Sequence, residues 1–270
     1  MSITPFMPSP AMGEAFIGRQ GLVRNLRGRI AAGDSVAIIG GPKLGKTSLV
    51  RNALAGLTDH PVVEVDLATD PSPRLDVIPG SILVLDHLDA VAESTRDSLL
   101  TQASATGAAS LVITGGHRLR TWLDNTGTVG GLRLRLYPLS VLLDGEMRRL
   151  VGHDPSPSLT TLAAWTGNHP YLTKLLLHYG DDAVTTGRSQ WEPFVRRLAA
   201  DIGEGPELQL LRYLIARGAP VNPAQAQADT GIDNIKAVAD TLTYLGVISR
   251  WIRNEEATLG ASCRLLNDSL

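Results

Sequence analysis

The sequence predicts an α/β fold on a mainly parallel sheet, and three observations carry that prediction. Short apolar runs at residues 36–39, 82–85 and 111–114 alternate with helical periods. A glycine-rich loop falls between the first of these runs and the helix after it. Beyond Pro138 the buried strand runs stop and helical patterns take over.

Composition supports a folded chain. Of 270 residues, 43% are hydrophobic and 19% charged, enough to bury a sizeable core. Aromatics make up 4%, so that core must be aliphatic and rich in alanine. The formal net charge of -2 argues against a strong non-specific nucleic-acid binder, which is usually basic. A single cysteine, Cys263, excludes an intrachain disulfide framework and a cysteine-cluster metal site. No apolar run reaches bilayer length, and residues 1–12 lack the charged end and apolar middle of a secretory signal. The expectation is a soluble cytoplasmic protein without membrane contact.

The elements follow in order. Residues 1–15, with three prolines and no period, read as a flexible tail. Leu22, Leu26 and Ile30 recur every four residues and mark a helix face that ends at Gly33-Asp34. A strand at 36–39, the glycine loop and a helix through Ser48, Leu49 and Leu54 come next. A second strand is expected at 62–67, and Pro71, Pro73 and Pro79 mark the loop after it. Residues 82–85 and 111–114 read as strands buried on both faces, with a helix over 93–105 between them. Residues 132–136 alternate with period two, as an edge strand does. The core is therefore assigned to 16–138, a helical segment to 139–202, and a last domain to 203–270, set off by the Gly203-Glu204-Gly205-Pro206 linker. Three helices at about 207–216, 224–228 and 233–245, then a terminal ribbon, make a winged-helix pattern.

The chemistry is carried by Gly40-Gly41-Pro42-Lys43-Leu44-Gly45-Lys46-Thr47, followed by Ser48. This is a complete P-loop pattern, Gly-x-x-x-x-Gly-Lys-Thr, in its proper strand-to-helix context. Such a loop turns successive backbone N–H groups and a helix N-terminus onto phosphates. Lys46 is placed to reach the β- and γ-phosphates, and the Thr47 hydroxyl to ligate Mg²⁺. The expected ligand is ATP or ADP, with GTP as the alternative.

Asp86 closes the 82–85 run, at the strand tip that faces a nucleotide crevice. An isolated Asp there could equally cap a helix; with the P-loop upstream, it reads as the second holder of Mg²⁺. ATPases of this general type often place Glu next, to polarise the attacking water. Here the residue is His87, and the next acid is Asp89. A neutral imidazole can accept a proton, and Asp89 is the alternative base. Slow turnover is expected.

Several signals occur in a fixed order: Phe16-Ile17-Gly18-Arg19, the P-loop, Asp86, Thr114-Gly115, residues 137–140 (Tyr-Pro-Leu-Ser) and Thr166-Gly167-Asn168-His169-Pro170. The ordered set resembles the STAND-type and archaeal-ATPase branch of the AAA+-related P-loop ATPases, over nearly the whole chain after the tail. The resemblance implies that Gly18-Arg19 packs against adenine and that Thr114 senses the γ-phosphate. It also implies that His169-Pro170 forms a lid motif over the base and that a winged helix follows the lid. Signalling or defence roles and homo-oligomerisation are implied too. His87 departs from the usual acid pair.

Weaker signals read more simply. Arg118, Arg120, Arg133 and Arg135 suit solvated edge charges better than an arginine finger acting on a neighbouring subunit. The histidines show no metal-ligand pair at helical spacing. The candidate recognition helix sets Lys236 against Asp233 and Asp240, and the wing sets Arg250 and Arg253 against Glu255 and Glu256. That is a poor phosphate-binding face, so a protein-contacting role is favoured over DNA. The expected function is an ATP-binding switch working with a separate effector or sensor protein. Two alternatives are a DNA-associated ATPase and a nucleotide-locked scaffold with little hydrolysis.

Overall fold

A computed structural model describes residues 10–126, 131–153, 155–253, 256–261, 263–267 and 270. Most of the expected tail, residues 1–9, and Glu255 of the expected wing lie outside the described residues. The elements run α1 (Gln20–Ala31), β1 (Ser35–Ile39), α2 (Lys46–Leu54), β2 (Val62–Asp66), β3 (Ile82–Asp86), α3 (Glu93–Ala105), β4 (Ser110–Gly115), α4 (His117–Thr126) and β5 (Leu134–Pro138). There follow α5 (Asp144–Val151), α6 (Leu159–Thr166), α7 (Pro170–Tyr179), α8 (Ala183–Thr186), α9 (Arg188–Ile202), α10 (Pro206–Arg217), α11 (Pro223–Thr230), α12 (Ile235–Leu245), β6 (Ile248–Arg253), β7 (Glu256–Ala261) and α13 (Arg264–Asn267).

The chain divides into two compact units. Among the described residues, one comprises 10–41 and 45–139; the other comprises 140–270 together with the three residues 42–44. The first holds a five-stranded sheet in the order β2-β3-β4-β1-β5, with every ladder parallel. The α/β expectation is met. β3 and β4 are buried along their whole length, which is why their sequences are unbroken apolar runs. β5 and β2 are the edges, and both alternate in burial.

Local differences from the sequence reading have physical causes. In α1 the fully packed positions are Val23, Leu26 and Ile30, with Leu22 half-buried. The stripe follows spacings of three and four, not a strict four. The sequence reading assigns no helix to α4 and groups its Arg118 and Arg120 with the edge-strand charges. Its core face is Leu119, Trp122 and Leu123. Residues 10–15, within the expected tail, are tied to α2. Ala11 N donates to Ser48 Oγ at 3.0 Å, Gly13 N to Asn52 Oδ1 at 3.0 Å, and Asn52 Nδ2 to Ala11 O at 2.8 Å.

The second unit is helical with a small antiparallel ribbon, β6-β7. One apolar core joins α6, α7, α9, α10, α12 and α13, with Leu172, Leu176, Val195, Leu210, Leu242 and Leu266 fully buried. α10, α11 and α12 with the ribbon occupy the places given to three helices and a ribbon in the sequence. An isolated bridge, Val221 to Leu259, adds to that arrangement. Among the described residues no helix is long and apolar enough to cross a membrane.

Candidate nucleotide site

The site begins where β1 ends. Strand ends of a parallel sheet open into a crevice at their carboxyl side, and the central position of β1 puts its loop in the middle of that edge. The loop then turns through Lys43 at φ 57° and Gly45 at φ 92° before α2 starts at Lys46. Gly45 is required there, because its left-handed backbone is strained for any side chain. The three apex residues Pro42, Lys43 and Leu44 group with the second unit.

Lys46 is 8% exposed. Its Nζ donates to Gly40 O at 2.8 Å and to Gly41 O at 2.9 Å, so the ammonium is held by the rim of its own loop. A buried ammonium needs such partners. Gly40 N in turn donates to Gly115 O, which ties the loop to the end of β4.

Asp86 is 3% exposed and accepts from two threonines. Thr47 Oγ1 donates to its Oδ2 at 2.7 Å, and Thr114 Oγ1 donates to its Oδ1. His87 N donates to Thr114 Oγ1 at 3.1 Å. Thr47, Asp86 and Thr114, three of the site residues expected from the sequence, are thus in one network. Thr114 is fully buried behind Asp86, where its hydroxyl fixes the carboxylate.

His87 follows with a left-handed backbone, φ 57° and ψ 44°. Its Nδ1 lies 3.0 Å from Asp66 Oδ1 and 3.7 Å from Asp86 Oδ2. Asp89 is used differently. Its Oδ2 accepts from Gly116 N at 2.6 Å, so it braces the end of β4. A Cβ at Gly116 would come within 2.8 Å of that same oxygen, so only glycine permits the approach. The Asp89 carbonyl and that of Val91 accept from the buried Arg96, whose guanidinium lies over Trp122. Asp89 and Arg96 therefore stiffen the segment that carries His87.

Other predicted residues fall as follows. Gly18 and Arg19 both have positive φ, at 79° and 58°, and immediately precede α1. Ser48 receives Ala11 N, as above. In the second unit His169 is fully buried, stands edge-on to Phe194, and has Nε2 3.2 Å from Pro42 O; Pro170 starts α7. Of the arginine cluster, Arg120 pairs with Asp124 and Arg135 with Asp34. Sequence reasoning missed Asp66. The signal was present, since an acid ends the second strand just as Asp86 ends the third, but only the register shows that the two are opposite.

No protein-family model matches the chain, and no curated protein matches it in sequence. Solved structures do. The Walker-type ATPase of Pyrococcus abyssi aligns over 97% of this chain and 98% of its own, with a TM-score of 0.53 and 14% identity. The Orc1 protein of Aeropyrum pernix, solved in complex with DNA, aligns over 95% of this chain and 92% of its own, with a TM-score of 0.50 and 13% identity. The fold is that of the P-loop ATPases. The Holliday junction branch migration motor RuvB of Thermotoga maritima also matches, at a TM-score of 0.47, 17% identity and coverage of 93% and 94%.

Proposed function

We propose that the chain is an ATP-binding, Mg²⁺-dependent molecular switch of the AAA+-related, STAND-like kind, with slow hydrolysis. The observation that carries this reading is the link between Thr47 and Asp86, 2.7 Å apart, beneath a complete P-loop. A hydroxyl and a carboxylate are hard oxygen donors suited to Mg²⁺. Among the described residues no cluster of three His, Cys, Asp or Glu could hold a metal alone. That fits a cation completed by phosphates and water, as Mg²⁺ usually is.

Thr47 and Asp86 would hold Mg²⁺, and Lys46 would leave its carbonyls for the β- and γ-phosphates. When bound, the cation neutralises phosphate charge. Gly18 and Arg19 are assigned to the adenine side, on the strength of the family resemblance. The 139–202 segment is read as a lid and 203–270 as a winged helix that takes up the nucleotide state and presents it to a partner protein, with self-assembly as the alternative output.

A second reading, a DNA-associated ATPase, is favoured by one observation: the structural likeness to a protein solved with DNA. Against it, the wing's Arg250 is paired with Asp240 of α12 at 3.1 Å. Part of its charge is already met by an acid.

Calorimetry with ATP, with and without Mg²⁺, tests the main reading. Magnesium-enhanced binding is expected; no binding under either condition overturns it.

A further inference from the structure

Asp66 ends β2, and the β2-β3 register sets it directly opposite Asp86. Its carboxylate is fixed locally, because Ala68 N donates to Oδ1 at 3.0 Å. The same Oδ1 lies 3.0 Å from His87 Nδ1. A carboxylate can only accept, so Nδ1 must carry the proton in this contact. In the neutral ring Nε2 is then the nitrogen with the free lone pair. Among the described residues nothing hydrogen-bonds Nε2, and the His87 side chain is 41% exposed. The pair stands at the carboxyl ends of adjacent strands, on the edge where the P-loop lies.

We propose that Asp66 is a positioning residue for His87: it locks the ring in the Nδ1–H tautomer and aims Nε2 at the water consumed in ATP hydrolysis. This rests on the ATPase reading above. In the step, the water oxygen bonds to the γ-phosphorus while the β–γ bridging P–O bond breaks and ADP departs with that electron pair. The water's proton passes to His87 Nε2 and then to the released phosphate or solvent. Asp66 keeps accepting from Nδ1–H throughout the step, as a carboxylate behind a catalytic histidine does. Asp89 is engaged elsewhere, its Oδ2 accepting from Gly116 N.

A half-exposed His–Asp contact contributes little to stability, which separates a positioning role from a structural one. The first readout is the nitrogen spectrum of ¹⁵N-histidine-labelled protein without nucleotide, with His87 assigned by comparison with His87→Gln. The expected result is the Nδ1–H tautomer in the wild type and appearance of the Nε2–H form in Asp66→Ala. The second readout is turnover. Asp66→Ala should keep KM for ATP within about twofold and lose at least about tenfold in kcat, while Asp66→Asn, whose amide oxygen still accepts, should lose less. An Nε2–H tautomer in the wild type, or unchanged kcat in Asp66→Ala, overturns the proposal. Failure of the wild type to bind ATP at all would overturn the ATPase reading instead, and calorimetry on the same sample separates the two results.

Discussion

The Thr47 hydroxyl donates to Asp86 Oδ2 at 2.7 Å, joining the first turn of the P-loop helix to the tip of β3. The other carboxylate oxygen takes the buried Thr114 hydroxyl. One carboxylate thus ties three chain segments at the carboxyl edge of the sheet. Asp86→Ala should therefore do two things. It should abolish the enhancement of ATP binding by Mg²⁺, read by calorimetry. It should also cost about 1–3 kcal/mol of stability, because the Thr114 hydroxyl is left buried without its acceptor. Urea denaturation measures that second effect.

Lys46 carries the next prediction. Its ammonium is buried and donates to two loop carbonyls, which a phosphate can replace. Lys46→Ala removes a charge-assisted contact worth about 2–3 kcal/mol, so affinity for Mg-ATP should fall roughly 30- to 150-fold. Unchanged affinity would refute the loop's assignment to phosphate.

Asp89 and His87 should separate cleanly. His87→Glu introduces the acid that the family resemblance leads one to expect there and should raise the rate of hydrolysis, measured by phosphate release. Asp89→Ala should instead leave Gly116 N without its acceptor and lower stability by about 1–3 kcal/mol. Its effect on hydrolysis at a temperature where the variant is fully folded should be small. Complete loss of hydrolysis there, with ATP binding intact, would make Asp89 the working base.

Much of this was legible in the sequence, for local reasons. β3 and β4 are buried on both faces, so burial writes itself as continuous apolar runs. The P-loop is legible because glycine spacing and the Lys-Thr pair sit in contiguous residues. What depends on long-range pairing was not. Nothing local says that β1 lies between β4 and β5, or that Asp66 faces Asp86 across a ladder. The Asp89 contact to Gly116 likewise joins residues 27 apart in sequence. α4 was legible but overlooked: Leu119, Trp122 and Leu123 have helical spacing, masked by the neighbouring Arg118 and Arg120.

The last prediction concerns the 203–270 segment, read above as a protein-contact surface that responds to nucleotide. α12 buries Ile235, Val238, Ala239, Leu242 and Leu245 in the core of its unit and exposes Lys236. Asp240 sits beside that face and binds Arg250 of β6. A ribbon arginine already paired to an acid must break that pair to reach a phosphate. Each lost phosphate contact weakens binding and flattens its salt dependence. Duplex DNA should therefore bind weakly at physiological salt, with a shallow slope in a titration from low to high salt. The nucleotide response is read separately. Gly203 ends α9 at φ 72° and Gly205 precedes α10, so residues 203–205 form a short exposed connection suited to protease attack. Cleavage there should slow when Mg-ATP saturates the protein and recover in Lys46→Ala at the same nucleotide concentration. Tight, sequence-selective duplex binding with a steep salt slope would promote the DNA-associated reading. Cleavage that is indifferent to Mg-ATP in a protein shown to bind it would mean that nucleotide state does not reach this segment.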